Sequence, residues 1–155
     1  MADARRPVAF WIFVFFLAIS ILLMLMGQTM AVFNYDLAVR LGLQESSGQV
    51  GEYGVRVNRA FGAGDTVVFI PLMVASLIGL FFKKRWSLLT TAAVAGVSLY
   101  WSVTVGFLFL FLPGVPGYGY VPGAVVWFFV GAYTAFGVWG LIYLFFRGDV
   151  LLQEQ

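Results

Sequence analysis

Four long apolar stretches, separated by short polar or proline- and glycine-rich segments, dominate the pattern of this chain. Residues 8–30 carry no charged side chain, and Pro7 precedes them at a position where a helix tolerates proline. Residues 66–82 form a second stretch that ends at a basic triplet, residues 83–85. Because about 20 apolar residues in a helix cross a bilayer core, each stretch predicts a membrane-spanning helix.

The third and fourth stretches lie in one run without charge between Arg85 and Arg147. That run is too long for a single crossing. The segment 112–123 divides it, because repeated proline and glycine do not continue a helix. We therefore predict the third helix over 86–111 and the fourth over 124–146.

The predicted fold class is an all-α membrane protein, a bundle of four transmembrane helices in a single integral membrane domain, residues 1–155. The second span begins after Gly62-Ala63-Gly64-Asp65, which we interpret as a helix break followed by an N-cap. We expect Pro71 to kink this span. The connections are a partly helical outer loop at 34–65, an inner turn at 83–85, an outer loop at 112–123 and a C-terminal tail at 147–155.

The basic residues predict which side of the membrane each end of the bundle faces. With the N-terminus inside, six Lys or Arg residues lie on the inner side and three on the outer side. Cytoplasmic segments carry the excess of basic residues, so we predict N-in/C-in topology, in a bacterial inner membrane. The inner six are Arg5, Arg6, Lys83, Lys84, Arg85 and Arg147, and the outer three are Arg40, Arg56 and Arg59.

A secretory signal peptide is the alternative interpretation of residues 1–30. Its apolar region is usually 7–15 residues long, and the apolar region here is longer. We therefore expect a retained first helix. Its many Phe, Leu and Ile side chains predict a peripheral, lipid-facing position or an oligomer contact.

Composition agrees with a membrane class and excludes several chemistries. The chain has 155 residues, 62% of them hydrophobic and 10% charged, against about 25% charged in soluble domains. It contains neither cysteine nor histidine, so the usual zinc, haem and iron–sulfur ligands are missing and we predict no cofactor. The net charge is only +2 and no basic tract is present, which argues against a nucleic-acid partner.

Small residues predict where helices approach each other, because lipid gives them no hydrophobic reason to associate. Pairs at helical spacing occur on each of the last three spans. We expect membrane lipid as a partner, and a homo-oligomer or larger membrane complex. The pairs are Ala75 and Gly79, Ala92 and Gly96, Gly131 and Ala135, and Gly137 and Gly140.

The outer loop 34–65 carries most of the polar side chains. Glu52 and Arg56 stand four apart, a spacing that allows an ion pair on a helix. One interpretation is a solvated interfacial helix with surface pairs of little energetic weight. The other is a site in which Arg56 and Arg59, with Asn58, bind an anionic head group or a small acid.

Polar residues near or inside the spans also allow two interpretations. Asp65 is either the N-cap of the second span or a titratable group at the mouth of a cavity. The side chains of Trp101, Ser102 and Tyr133 either bond backbone carbonyls and one another, or line a polar cavity. The aromatic content of 19% suits a lipid, isoprenoid or retinoid-like ligand, and it suits a plain lipid-facing surface equally well.

Two functions follow as hypotheses. The first is a non-enzymatic protein, either an accessory or transport-type subunit or a binder of a lipid or other apolar ligand. The alternative is a membrane-embedded enzyme that acts on a lipid-like substrate near the outer interface. Its acid–base candidates are Asp36, Glu52 and Asp65, with Arg56 and Arg59 as clamps for an anion.

Overall fold

The computed structural model describes residues 6–153, and all regular structure in this part of the chain is helical. Four of the helices are long and apolar enough to cross a membrane. The chain is therefore an integral, multi-pass, all-α membrane protein, as predicted. The helices are α1 (Val8–Phe33), α2 (Tyr35–Arg40), α3 (Ser47–Phe81), α4 (Trp86–Phe111) and α5 (Ala124–Arg147), which continues as a 3₁₀ turn, Gly148–Leu152.

The long helices α1, α3, α4 and α5 form a bundle with two distinct ends. At the end that holds residues 6–7, 82–85 and 148–153, Arg6 Nη2 donates to the carbonyl oxygen of Phe81 at 3.1 Å. We call this the terminal end. At the loop end, which holds residues 34–46 and 112–123, the amide of Gly119 donates to the carbonyl oxygen of Gln49 at 2.7 Å.

Helix α1 is central to the core, and the prediction that it is peripheral was wrong for one of its faces. Phe10, Phe13 and Leu17 are fully buried. The ring of Phe16 stacks on that of Phe136 in α5, with 3.4 Å between centroids. The opposite face of α1, with Phe15 and other exposed side chains, is available to lipid. The aromatic residues of α1 therefore lie both in the core of the bundle and on the face available to lipid.

Close packing of α4 and α5 depends on glycine. A Cβ at Gly137 would lie 2.6 Å from the Cβ of Leu99, and one at Gly140 would lie 3.2 Å from that of Ala95. This small-residue face packs inside the bundle, as the sequence predicts. Around Gly96 and Gly131 there is open space instead, so neither of these two glycines permits a close helix contact within the described residues.

Helix α3 begins at Ser47, so the predicted start of the second span at residue 66 was wrong. The amide of Ser46 donates to Gln49 Oε1 at 2.9 Å, which caps the true beginning of the helix. Gly51, with φ 67°, interrupts the first turns. The helix then continues through Gly62 and Gly64 without a break. Asp65 is consequently an interior helical residue and not an N-cap.

Two π-helical turns, one in each of the first two spans, pack against each other. They are Leu25–Thr29 in α1 and Asp65–Phe69 in α3. A Cβ at Gly62 would lie 2.6 Å from the carbonyl oxygen of Gln28, so glycine permits this approach. Pro71, which has no N–H to donate, follows the second π turn by two residues. The helix continues through it to Phe81.

Candidate functional site

An open cavity of about 430 Å³ lies at the loop end, between the four long helices and the loop segment 42–45. Its volume falls within the range of small-molecule sites, roughly 300–1,000 Å³. Most of its wall is apolar, as in such sites. The apolar wall includes Leu23, Met24, Val57, Val105, Leu108, Phe109, Val126, Phe129 and Val130.

The cavity spans the boundary between water and hydrocarbon at the loop end. A helix rises about 1.5 Å per residue, and a bilayer core is about 30 Å thick. The 20 residues of α3 that end at Phe81 therefore begin near Gly62. By the same count on α5 from Phe146, Tyr133 lies about 9 Å inside the hydrocarbon. Asn58 lies on the aqueous side, so the site has a polar mouth and an apolar floor.

Three side chains form a hydrogen-bonded network at the mouth. Asn58 Nδ2 donates to Glu45 Oε2 at 2.8 Å and lies 3.1 Å from the hydroxyl oxygen of Tyr35. That hydroxyl donates to the carbonyl oxygen of Glu45 at 2.9 Å. Burial raises the pKa of Tyr35 and the Glu45 carboxylate raises it further, while the Asn58 hydrogen bond acts in the opposite direction. The network holds the loop segment 42–45 over the cavity.

The second loop, 112–123, places two tyrosines near the same carboxylate. Burial is the main cause that raises the pKa of Tyr118 and of Tyr120, and the negative charge of Glu45 is the second in both cases. The ring of Tyr120 is 6.0 Å from that of Phe109, which lines the cavity. Tyrosines from both loops therefore lie near the Glu45 carboxylate, just outside the lining of the cavity.

The floor of the cavity holds some of the side chains predicted from sequence. Trp101 and Tyr133 both line it, with 5.6 Å between ring centroids. The Tyr133 hydroxyl donates to Ser20 Oγ at 2.9 Å. Ser102 is buried outside the lining, where it donates to the carbonyl oxygen of Leu99 at 3.1 Å and accepts from Thr134 at 2.9 Å. The structure thus separates Ser102 from the other two.

Neither predicted arginine lines this cavity. Arg56 pairs with Glu52 at 3.4 Å, and the two side chains are 79% and 86% exposed, so solvent screens the pair. Arg59 Nη2 donates to the carbonyl oxygen of Val32 at 2.9 Å, where it satisfies a free carbonyl near the end of α1. Of the predicted group on α3, Asn58 alone lines the cavity.

The three predicted acids lie in two different places. Asp36 and Glu52 are both exposed, and with Arg59 they line a second, open depression of about 740 Å³ at the loop end. Asp65 lies in the interior of the bundle and is only 9% exposed. Its Oδ2 has no hydrogen-bond partner among the described residues. An acid pair with an arginine is thus present only on the aqueous surface of the described chain.

The sequence prediction missed two residues of the network at the mouth, Tyr35 and the charged residue Glu45. Glu45 stands in a short loop, and no Lys or Arg lies within four positions of it in the sequence. The signal available in the sequence was an acidic residue with no basic residue near it to form an ion pair. Only the fold brings Glu45 next to Asn58 and the two tyrosines of the second loop.

Within residues 6–153 no three acidic side chains lie close enough together to hold a metal ion. The chain matches no protein-family model, no curated protein and no solved structure. The geometry of the cavity therefore carries the functional argument.

Proposed function

We propose that this protein binds a lipid, or another apolar molecule with a polar end, in the cavity at the loop end. The observation that carries this proposal is the cavity itself, about 430 Å³ of open space with apolar walls at the membrane boundary. Apolar surface transferred out of water or loosely packed lipid into such a site gains dispersion contacts. The protein then acts as a binder or accessory subunit rather than through chemistry of its own.

The distribution of polar groups favours an elongated, amphiphilic ligand. Asn58 and Glu45 stand at the mouth, whereas Thr104 and Tyr133 stand deeper along the wall. Gln28 and Gln44 are the other polar side chains of the lining, and the rest of it is predominantly apolar. A molecule with a polar head at the mouth and an apolar body below matches this order, because each polar group then finds a partner.

Access from the lipid side supports the same ligand class. Phe61 and Tyr100, two residues of the wall, are 46% and 71% exposed. Phe61 lies one residue outside the 20 counted on α3, and Tyr100 lies within the first 20 residues of α4, which begins at Trp86. On the aqueous side the loop segment 42–45 covers the cavity. A ligand dissolved in the bilayer therefore reaches the site without crossing water.

The enzyme hypothesis has less support. An acid–base mechanism needs its groups near one bound substrate, and the cavity contains none of Asp36, Glu52 and Asp65. The oligomer, the bacterial inner membrane and the outward orientation of the loop end stay predictions. Five of the basic residues counted for the inner side, Arg6, Lys83, Lys84, Arg85 and Arg147, do lie at the terminal end.

Filling the cavity tests the proposal. Val105→Phe places a larger side chain in the lining, whereas the matched variant Val103→Phe changes a residue of α4 that is 41% exposed and outside the lining. Each protein is extracted in a neutral detergent and examined by native mass spectrometry. We expect a lipid-like adduct on the wild type and on Val103→Phe, and its loss from Val105→Phe. Equal adduct occupancy in all three proteins, or no adduct in any of them, would overturn the proposal.

A further inference from the structure

Glu45 is the one charged side chain that residues 6–153 contribute to the lining of the cavity. Its carboxylate accepts a hydrogen bond from Asn58. The ion pairs within the described residues join Arg56 to Glu52 and Arg85 to Asp149, and none of them includes Glu45. Glu45 is half-buried, and its carboxylate has one amide donor and no cationic partner among the described residues, so it can accept further hydrogen bonds from a ligand.

Three tyrosines lie near Glu45, although none of them is a lining residue of the cavity. Tyr35 bonds to the backbone of Glu45, and the charge of Glu45 also acts on Tyr118 and Tyr120 from the other loop. The faces of tyrosine rings attract cations, and ammonium groups in particular are bound by such rings together with a carboxylate. The mouth of the cavity thus has the chemistry of a cation site, and the floor has that of an acyl-chain or ring-binding site.

We propose that the ligand of this cavity is a cationic amphiphile, with an ammonium group that pairs with Glu45 and an apolar body that lies between α1, α4 and α5. This inference rests on the proposed function and specifies its ligand class. A positive head group supplies the counter-ion that the described chain lacks. A purely anionic head group would meet the like charge of Glu45 at the mouth, which is unfavourable.

The charge of the head group is tested with probes of equal chain length in a neutral maltoside detergent. Dodecylamine, dodecanol and laurate are compared by titration calorimetry. We expect dodecylamine to bind the wild type about tenfold more tightly than dodecanol, and laurate to bind most weakly. In Glu45→Gln, whose amide oxygen can still accept from Asn58, the preference for the amine over the alcohol should disappear while the affinity for dodecanol is unchanged.

Two further variants serve as controls for this experiment. Glu52→Gln removes an exposed acid outside the cavity and should keep the tenfold preference. Gln44→Lys places an internal cation beside Glu45 in the lining and should weaken dodecylamine binding at least as much as Glu45→Gln does. Thermal unfolding of each variant confirms that it folds.

The outcomes separate the two proposals. Equal binding of amine and alcohol to the wild type, or an amine preference that survives in Glu45→Gln, overturns the cationic ligand but leaves the cavity as an apolar site. If no probe binds and Val105→Phe changes nothing, the proposed function fails as well. Retention of phosphatidylethanolamine by the wild type and its loss from Glu45→Gln would support a membrane lipid as the source of the ammonium group. Binding of dodecylamine without retained phosphatidylethanolamine would support a free cationic amphiphile.

Discussion

Thr29 and Thr66 join the two π-helical turns of the bundle, with 2.9 Å between their side-chain oxygens. The Thr66 hydroxyl also lies 2.7 Å from the carbonyl oxygen of Gly62 and donates to it. Thr29 is then the donor to Thr66. The pair fixes α1 against α3 next to Gln28, a wall residue of the cavity, so it contributes to the shape of the site.

Removing the Thr29 hydroxyl should destabilise the bundle slightly. Hydrogen bonds between membrane helices are worth about 0.6 kcal/mol on average, so we expect Thr29→Val to lower the free energy of unfolding by about that amount. Thr66→Val should cost more, because it also removes the bond to Gly62. Reversible unfolding in mixed micelles measures both, and Thr29→Ser is the control. A double-mutant coupling energy of zero would show that the two hydroxyls do not interact.

A side chain at Gly62 should separate the helices. The Cβ of Gly62→Ala would stand 2.6 Å from the carbonyl oxygen of Gln28, and overpacking of this kind costs about 1–3 kcal/mol. Gly64→Ala is the matched control, since nothing lies within 4 Å of its Cβ and alanine is the better helix former by roughly 1 kcal/mol. We expect the first variant to melt at a lower temperature and the second at the same or a higher one. Equal melting temperatures for the two variants would contradict the close approach.

We expect Asp65 to destabilise the folded protein rather than to stabilise it. Its Oδ2 is buried without a hydrogen-bond partner among the described residues, and an unsatisfied buried polar group costs about 1–3 kcal/mol. Asp65→Leu should therefore raise the free energy of unfolding by about that amount. Glu52→Leu, at an exposed position, should change it by less than about 0.5 kcal/mol. A marked loss of stability in Asp65→Leu would mean that the carboxyl group makes a stabilising contact.

We predict that the protein loses stability at high pH because of the three tyrosines near Glu45. Tyr35, Tyr118 and Tyr120 have a pKa above the ordinary 10.0 in the folded protein. The unfolded chain then loses these protons first. The stability that this difference contributes is present below pH 10.0 and is lost as the pH rises through the folded pKa values.

Glu45→Gln removes one cause of these raised pKa values, so the tyrosines should ionise at a lower pH in that variant. The near-ultraviolet absorbance of tyrosinate follows the titration, and thermal unfolding across the same pH range follows stability. Glu52→Gln serves as the control. An unchanged titration in Glu45→Gln would show that its charge does not reach the three rings.

Single cysteines test the orientation, because the natural chain has none. Ser47→Cys and Val121→Cys lie at the loop end, and both positions are exposed. Lys84→Cys lies at the terminal end. With the loop end outside, an impermeant thiol reagent should label the first two in intact cells and the third only after lysis. The reverse pattern would invert the predicted topology.

The apolar stretches of the sequence were enough to predict most of the fold. The third helix was predicted over 86–111 and found as Trp86–Phe111, and the fourth ends one residue later than predicted. Bilayer length and proline-rich interruption are strong local signals. The first span was predicted over about 8–30, with a continuation of the helix beyond it left open, and the helix runs to Phe33 through a π turn that hydrophobicity alone does not reveal.

The start of α3 was mispredicted because glycine has two uses. The run Gly62-Ala63-Gly64 has the composition of a break, yet here Gly62 allows α1 to approach within contact of the helix backbone. Which use applies depends on the neighbouring helix, and that information is not local. The site could not be predicted for the same reason, since Glu45, Asn58 and Tyr118 come from three separate segments of the chain.

The length of α3 has a practical consequence. From Glu52, just after the interruption at Gly51, to Phe81 the helix rises about 45 Å, which exceeds a hydrocarbon core of about 30 Å. The part that begins at Glu52 and ends near Phe61 therefore stands about 15 Å outside the core as a rigid rod with the exposed Tyr53 on its surface. An antibody fragment raised against this rod would give so small a particle the extramembrane mass that image alignment by electron cryomicroscopy requires.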